Sequence, residues 1–143
     1  MKRDPSKIRI KKVSGYKDAR TTCHISSRGV ISVTPKTTKG EIAHEEGHYV
    51  LGHNLKGNPK TPSVYARQEI DASVYAYNKV GQPKRMKPKI RAIYNDLTHY
   101  EYKESPKKAK SEMDKIMNRR EVPTSFKKDW DGIKREIKKA FDV

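Results

Sequence analysis

Residues 38–53 read TKGEIAHEEGHYVLGH, and this stretch contains both a helix start and a metal-binding motif. Thr38 and Glu41 have the spacing of a capping box: the Thr38 hydroxyl accepts a hydrogen bond from the Glu41 amide, and the Glu41 carboxylate accepts one from the Thr38 amide. This pattern predicts a helix from about residue 39 to residue 51 or 53, where glycine and asparagine become frequent and end it.

The predicted helix carries His44-Glu45-Glu46-Gly47-His48, the H-E-x-x-H pattern. Histidines four residues apart leave the same face of a helix one turn apart, so both imidazoles can bind one Zn²⁺. Glu45 lies about 100° around the helix axis from His44. From there it can reach a metal-bound water rather than the metal, so we predict that Glu45 is a catalytic general base. A solvated His/Glu surface without metal is the alternative interpretation.

A catalytic zinc needs a third protein ligand and an open coordination position. His53 follows His48 by five residues, so we expect it at the helix end near the site rather than on the metal. The better candidate is Glu69, on a second helix predicted from Pro62 to about Val80 and stopped by glycine and proline.

The second helix has the small side chains that close packing requires. Glu69, Ala72 and Ala76 share one of its faces, which predicts that the helix lies close to the metal helix and presents Glu69 to the zinc. Asp71 lies about 200° from Glu69 around the axis, so it is expected beside the site or on the surface.

The residues before the motif predict strands. A short strand is expected around residues 7–13, and residues 25–34, ISSRGVISVT, predict a turn at Arg28-Gly29 followed by a strand over Val30–Thr34. We expect that strand at the edge of the sheet above the cleft, where an extended peptide can add to it through main-chain hydrogen bonds.

The residues after the second helix predict three more helices, each with apolar residues at helical spacing. They are expected over 89–103, after Ser105-Pro106, and over 125–141. The apolar positions are Ile90, Ile93, Tyr94, Leu97 and Tyr100, then Met113, Ile116 and Met117, then Phe126, Trp130, Ile133, Ile137 and Phe141. The fold class is therefore α+β: a small N-terminal β-sheet, a helical core and additional C-terminal helices.

Composition limits the class of protein. The chain has 143 residues, of which 33% are hydrophobic and 35% charged, with a mean hydropathy of −1.03. We expect one domain over 1–143, with the core in 25–80 and a helical extension in 81–143. No apolar run approaches the roughly 20 residues of a membrane helix, so no membrane association is expected. The basic N-terminus lacks the apolar stretch of a secretory signal.

The single cysteine, Cys23, excludes an intramolecular disulfide framework and a zinc site built on cysteine pairs. A reducing, cytoplasmic location fits best, and any metal site must use histidines and carboxylates. The 33 basic and 17 acidic residues give a net charge of +16, which attracts polyanions. Nucleic acid is therefore a candidate partner that would bind to the basic surface, although no nucleic-acid-binding motif is present.

At this point the chain resembles a known family. A strand over 30–34, a proline, a capped helix with HEEGHYVLGH, and a second helix with Glu69, Ala72, Tyr75 and Ala76 are together similar to the ImmA/IrrE family of metallopeptidases. That family has H-E-[IL]-G-H followed by E-x-E-A-x-x-F-A. The resemblance covers about residues 25–80.

The resemblance implies a zincin-type helical core and a gluzincin-like site, with His44, His48 and Glu69 on zinc and Glu45 as the base. It also implies a zinc-dependent endopeptidase, often encoded on phages or mobile elements, whose protein or peptide substrate includes regulatory DNA-binding proteins such as repressors. The chain departs from the family pattern at Glu46, which replaces an apolar residue, and at Asp71, which replaces a glutamate. The usual close of the second helix is also absent.

Two other functions remain open. The first is a non-catalytic nucleic-acid-binding or interaction protein with a structural zinc, in which His53 or Asp71 would close the metal shell. The second is a phage- or toxin-associated peptidase with the same site chemistry. A peptidase also needs a donor for the oxyanion. The sequence offers four candidates without choosing among them: His24, Tyr94, His99 and Tyr100.

Overall fold

The computed structural model describes residues 3–14, 23–26, 28–53, 61–103 and 105–141, without the side chains of His24 and Phe141. Its contacts divide the chain into two compact units: Met1–Asn58 with Asp71–Pro83, and Pro59–Ile70 with Lys84–Val143. The single domain over 1–143 stays a prediction. Among the described helices, none combines the length and apolarity needed to cross a membrane.

The first unit contains a three-stranded sheet with the order β1-β3-β2, built from β1 (Arg9–Lys12), β2 (Cys23–Ile25) and β3 (Val30–Val33). A turn at Gly29, which has a φ of +83°, pairs β2 with β3 in antiparallel register. On its other side β3 pairs with β1 in parallel register. The small N-terminal sheet that the sequence predicts is thus present.

The predicted position of the strand over Val30–Thr34 is wrong. We expected it at the edge of the sheet, but β3 is the central strand because β1 and β2 are hydrogen-bonded to its two sides. The outer strands in the described part of the sheet are β1 and β2. Any peptide that extends the sheet would therefore pair with one of them.

The sheet packs its inner face against the first helix. Alternate residues of β3, Ile31 and Val33, are buried, as expected for a strand with one covered face. Together with Ile25 and Tyr49 they form a hydrophobic cluster, and Ile8, Cys23, Ile42 and Val50 pack around it. Cys23, the one cysteine of the sequence, is half-buried in this arrangement.

Helix α1 (Lys39–Val50) begins where the capping box predicts. The Glu41 amide donates to the Thr38 hydroxyl at 3.2 Å, and the Thr38 amide donates to the Glu41 carboxylate at 3.1 Å. Residues 51–53 form a turn in which Gly52 has a φ of +76°. Helix α2 (Pro62–Val80) has the predicted bounds and ends before Gly81.

The second unit contains α3 (Lys87–Asp96), a π-helical turn (Leu97–Glu101), α4 (Pro106–Met117) and α5 (Thr124–Phe141). Ser105 caps α4 by accepting a hydrogen bond from the Lys108 amide. The predicted apolar stripes form the core of this unit: Ile90, Ile93, Tyr94, Leu97, Met113, Ile116, Met117, Phe126, Trp130, Ile133 and Ile137 are all buried.

Among the predicted core residues whose side chains the structure describes, Tyr100 is the exception, because it is 71% exposed; the side chain of Phe141 lies outside the described residues. The predicted third helix changes to a π-helical turn at Leu97, and the Tyr102 amide donates to the Leu97 carbonyl five residues earlier. A π-helical turn contains an additional residue, which rotates the following side chains relative to an α-helical stripe. Tyr100 therefore leaves the buried face.

Candidate metal centre

Two imidazoles of α1 face each other with their outer nitrogens. His44 and His48 have ring centroids 4.6 Å apart, and their Nε2 atoms are 3.0 Å apart. Two N–H donors cannot face each other at this distance, so at most one proton fits between the rings. A metal ion instead accepts a lone pair from each nitrogen. Two nitrogens bonded tetrahedrally to one ion at 2.0–2.1 Å are about 3.3 Å apart, which is close to the observed separation.

Glu69 completes a group of three ligands. Ligand atoms of His44, His48 and Glu69 all lie within 4.8 Å of one another. Glu69 belongs to the continuous helix α2, one turn before Ser73, whose hydroxyl contacts His44. The structure thus brings together the three residues that the sequence proposes as metal ligands, and this His-His-Glu group could hold a metal ion.

Each histidine has a partner on its inner nitrogen. The Nδ1 atom of His44 is 3.1 Å from the Ser73 hydroxyl, and both residues are buried. The Nδ1 atom of His48 is 3.0 Å from Nδ1 of His53, whose backbone amide also donates to the His48 carbonyl. With the protons of the neutral rings on Nδ1, these partners accept them and both Nε2 lone pairs face the metal position. Such partners orient metal-binding histidines and fix their tautomers.

The close approach of α1 to α2 depends on Gly47. A Cβ atom at this position would lie 3.0 Å from the Ala72 carbonyl oxygen and 3.1 Å from the Ala72 Cα atom. Because these are backbone atoms, a side chain at residue 47 could not be accommodated by a change of rotamer. Gly47, between the two histidines, and Ala72 of α2 therefore allow the two helices to approach closely at this point.

Glu46 joins α1 to α2 on the side away from the metal group. The Tyr75 hydroxyl donates to the Glu46 carboxylate at 2.9 Å, and Lys79 forms an ion pair with the same oxygen. Burial, and then the hydrogen bond to this carboxylate, raise the pKa of Tyr75 to about 12. Glu46 thus has two partners on α2, and the polar side chain that it adds to α1 is mostly covered.

The donor set fits zinc. Two imidazole nitrogens and one carboxylate are the ligands of one common class of catalytic zinc sites, which leave a further position for water or substrate. In the part of the chain that the structure describes, neither His53 nor Asp71 belongs to the metal group. His53 instead contacts the inner nitrogen of His48, near the end of α1 as expected. The metal group therefore has three members among the residues that the structure describes.

The candidate oxyanion donors have different surroundings. The Tyr94 hydroxyl donates to the Pro106 carbonyl at 3.3 Å inside the second unit, so it has a structural partner. His99 and Tyr100 form an edge-to-face pair with ring centroids 4.9 Å apart and line a groove of about 550 Å³ in the same unit. The side chain of His24, the fourth candidate, lies outside the described residues.

Two residues at the site, Ser73 and Lys89, are not among the predicted site residues. Ser73 could have been found, because it follows Glu69 by one helical turn and so shares its face. Lys89, on α3, has its Nζ atom 3.3 Å from the Glu69 Oε1 atom. The sequence does not single out Lys89, because one lysine among 33 basic residues is not distinguished by its position.

No protein-family model, curated protein or solved structure matches this chain. What the site can do chemically follows from its own donor atoms and their partners.

Proposed function

We propose that this protein is a zinc-dependent endopeptidase. The observation that carries the proposal is the convergence of His44, His48 and Glu69 on one position, with no fourth ligand among the described residues. The neighbouring Glu45 supplies a carboxylate one residue along the same helix. Two imidazoles, one acidic ligand, an open position and an adjacent base are the components of a metal-dependent hydrolase.

Zinc in this group would lower the pKa of a bound water towards 7 and polarise the carbonyl of the scissile bond. Glu45 takes the proton from the attacking water and later delivers it to the leaving amine. Ser73 and His53 hold the two imidazoles in the orientation and tautomer that direct Nε2 at the metal position. The half-buried position of Glu45 on α1 suits a base that must exchange protons with water and substrate.

The substrate is proposed to be an extended segment of a protein. Helix α1 packs against β2 and β3, and β2 is an outer strand of the described sheet. A peptide that pairs with β2 would extend the sheet by main-chain hydrogen bonds. The resemblance to the ImmA/IrrE family supports a regulatory DNA-binding protein, such as a repressor, as substrate. A phage- or toxin-associated peptidase would use the same site.

The test is the Glu45→Gln variant, assayed with a proteome-derived peptide library and mass spectrometry of the products. We expect wild-type protein to cleave a narrow set of peptides, and the variant to lose at least a hundredfold in rate while it retains zinc. The matched control is Glu46→Gln on the same helix, because this amide can still accept the Tyr75 hydrogen bond. A fully active Glu45→Gln variant would show that the mechanism is wrong.

The net charge of +16 favours one other function, a nucleic-acid-binding protein with a structural zinc. That function requires a closed metal shell and binding to nucleic acid that weakens steeply with salt. Titration of a DNA duplex at 50 and 200 mM NaCl distinguishes the two functions. Tight, strongly salt-dependent binding together with no cleavage of any library peptide would favour this alternative.

A further inference from the structure

We propose that Lys89 is a positioning residue for the metal ligand Glu69. It holds one oxygen of the Glu69 carboxylate. This contact lowers the affinity for the metal and keeps one coordination position open. The Lys89 Nζ atom lies 3.3 Å from Glu69 Oε1. Both residues belong to the second compact unit, on α3 and α2. The Lys89 side chain is 36% exposed and the Glu69 side chain 13% exposed, so the lysine reaches inward to a carboxylate that is mostly covered.

The first consequence is electrostatic. A metal bound to Glu69 at 2.0–2.2 Å lies within about 8 Å of the Lys89 ammonium group, because the carboxylate joins them. At that distance the ammonium group repels a divalent metal ion. After screening by solvent and salt, this repulsion lowers the affinity for the metal roughly threefold to tenfold. The ammonium group also withdraws electron density from the ligand. Lys89 therefore weakens metal binding.

The second consequence concerns the coordination number. A carboxylate oxygen held by an ammonium group is less available to a metal ion, so we infer that Glu69 binds the metal through one oxygen while Lys89 holds Oε1. Without the lysine, both oxygens can bind, and the additional ligand occupies the position that a peptide carbonyl needs. This inference rests on the metal site of the proposed function, and it assigns to Lys89 the role of keeping that position available.

The experiment measures zinc affinity by competition with a chromophoric chelator, using metal-free full-length protein. Lys89→Met removes the charge and retains the length of the side chain, and Lys89→Arg retains the charge. The matched control is Lys87→Met, because Lys87 lies on the same helix and pairs with Glu136 at 2.8 Å, a carboxylate outside the metal group. A second neutral variant, Lys89→Gln, checks that the result does not depend on methionine. The visible spectrum of each cobalt-loaded protein reports the coordination number.

We expect Lys89→Met and Lys89→Gln to bind zinc about threefold to tenfold more tightly than wild type, while Lys89→Arg and Lys87→Met bind like wild type. The cobalt spectrum of Lys89→Met should lose intensity, because five-coordinate Co²⁺ absorbs less than tetrahedral Co²⁺. A merely structural contact predicts the opposite sign, since a misplaced Glu69 would weaken binding.

Unchanged or weaker affinity of the neutral variants, an unchanged cobalt spectrum, or equal tightening by Lys87→Met would overturn the proposal. Its failure is distinguishable from that of the proposed function, because affinity is measured without a substrate. Zinc binding that tightens on loss of Lys89 in a protein that cleaves nothing would support Lys89 and contradict the peptidase. Wild-type protein that binds no zinc would contradict both.

Discussion

Ser73 contacts no metal in this account, yet the orientation of His44 depends on it. Its hydroxyl is 3.1 Å from Nδ1 of a buried imidazole. We predict that Ser73→Ala weakens zinc binding roughly tenfold to a hundredfold, because the ring loses the partner that fixes its tautomer and rotation. The control is Ser63→Ala on the same helix, whose hydroxyl donates to Glu101. Isothermal titration of the metal-free proteins with zinc measures the affinity of each variant. Equal affinities for wild type and Ser73→Ala would contradict the role assigned to Ser73.

At this scale the sequence predicts ligands better than it predicts their partners. The ligands His44, His48 and Glu69 follow from spacing along helices, which is local and regular. The pairing of Ser73 with His44 depends on how α2 is rotated against α1. The contact of Lys89 with Glu69 depends on the fold of the second unit. Neither contact can be predicted from the spacing of residues within one helix.

The two helix-interior glycines Gly47 and Gly132 provide a matched test of how closely α1 packs on α2. A Cβ at Gly132 would lie 3.4 Å from the flexible end of Lys87, whereas one at Gly47 would press on the backbone of Ala72 at 3.0 Å. We predict that Gly132→Ala stabilises the protein by about 0.5–1 kcal/mol through helix propensity. Gly47→Ala should destabilise it by about 1–3 kcal/mol, because overpacking outweighs that gain.

Urea denaturation of the two glycine variants measures the free energies of unfolding, and zinc titration checks whether Gly47→Ala also displaces the histidines from Glu69. If alanine at residue 47 stabilises the protein as it does at residue 132, the two helices are not in close contact.

The link between Tyr75 and Glu46 predicts a pH dependence of stability. Tyr75 has a folded pKa of about 12 instead of its ordinary 10.0. Between these values the unfolded chain loses the phenolic proton while the folded protein keeps it, so the free energy of unfolding falls as pH rises from about 10 to 12. Below pH 10 this contribution is fully present. We predict that the stability difference between wild type and Tyr75→Phe is constant up to pH 10 and then shrinks.

The control for this measurement is Tyr100→Phe, because the Tyr100 side chain is exposed. Urea midpoints between pH 8 and pH 11.5 give the comparison, and ionisation of the remaining tyrosines cancels between variants. A difference between wild type and Tyr75→Phe that stays constant across the whole range would contradict the raised pKa.

Among the elements, the helices are predicted well because their signals are local. The capping box of α1, the proline at the start of α2 and Ser105 before α4 each fix a boundary from neighbouring residues. The order of strands is not local: β3 becomes central only because β1, which precedes it by some twenty residues, pairs with its other side. The exposed position of Tyr100 likewise depends on a π-helical turn that the apolar stripe does not reveal.

For the whole molecule, metal binding should be coupled to stability. A ligand that binds only the folded state at one hundred times its dissociation constant stabilises it by about 2.7 kcal/mol. For a chain of this size we therefore predict a melting temperature roughly 5–10 °C higher with zinc than with EDTA. The His48→Ala variant is the control, because it lacks one ligand and should melt equally under both conditions. Equal melting temperatures for wild-type protein would indicate that the folded chain holds no metal.

The net charge of +16 is also a property of the whole molecule, and the sequence predicts it completely. It produces a long-range attraction for polyanions that salt screens. A net charge does not specify a reaction, so it cannot identify the chemistry of the protein. That identification depends on three side chains on two helices.

The central claim is that His44, His48 and Glu69 hold one metal ion with a position left for solvent. A crystal structure of the zinc-loaded protein, with anomalous scattering recorded at the zinc edge, tests it most directly. We expect one zinc peak, bonded to both Nε2 atoms at about 2.0–2.1 Å and to a Glu69 oxygen at about 2.0–2.2 Å, with no fourth protein ligand. A peak elsewhere, a Glu69 carboxylate away from the ion, or a shell closed by another side chain would contradict it.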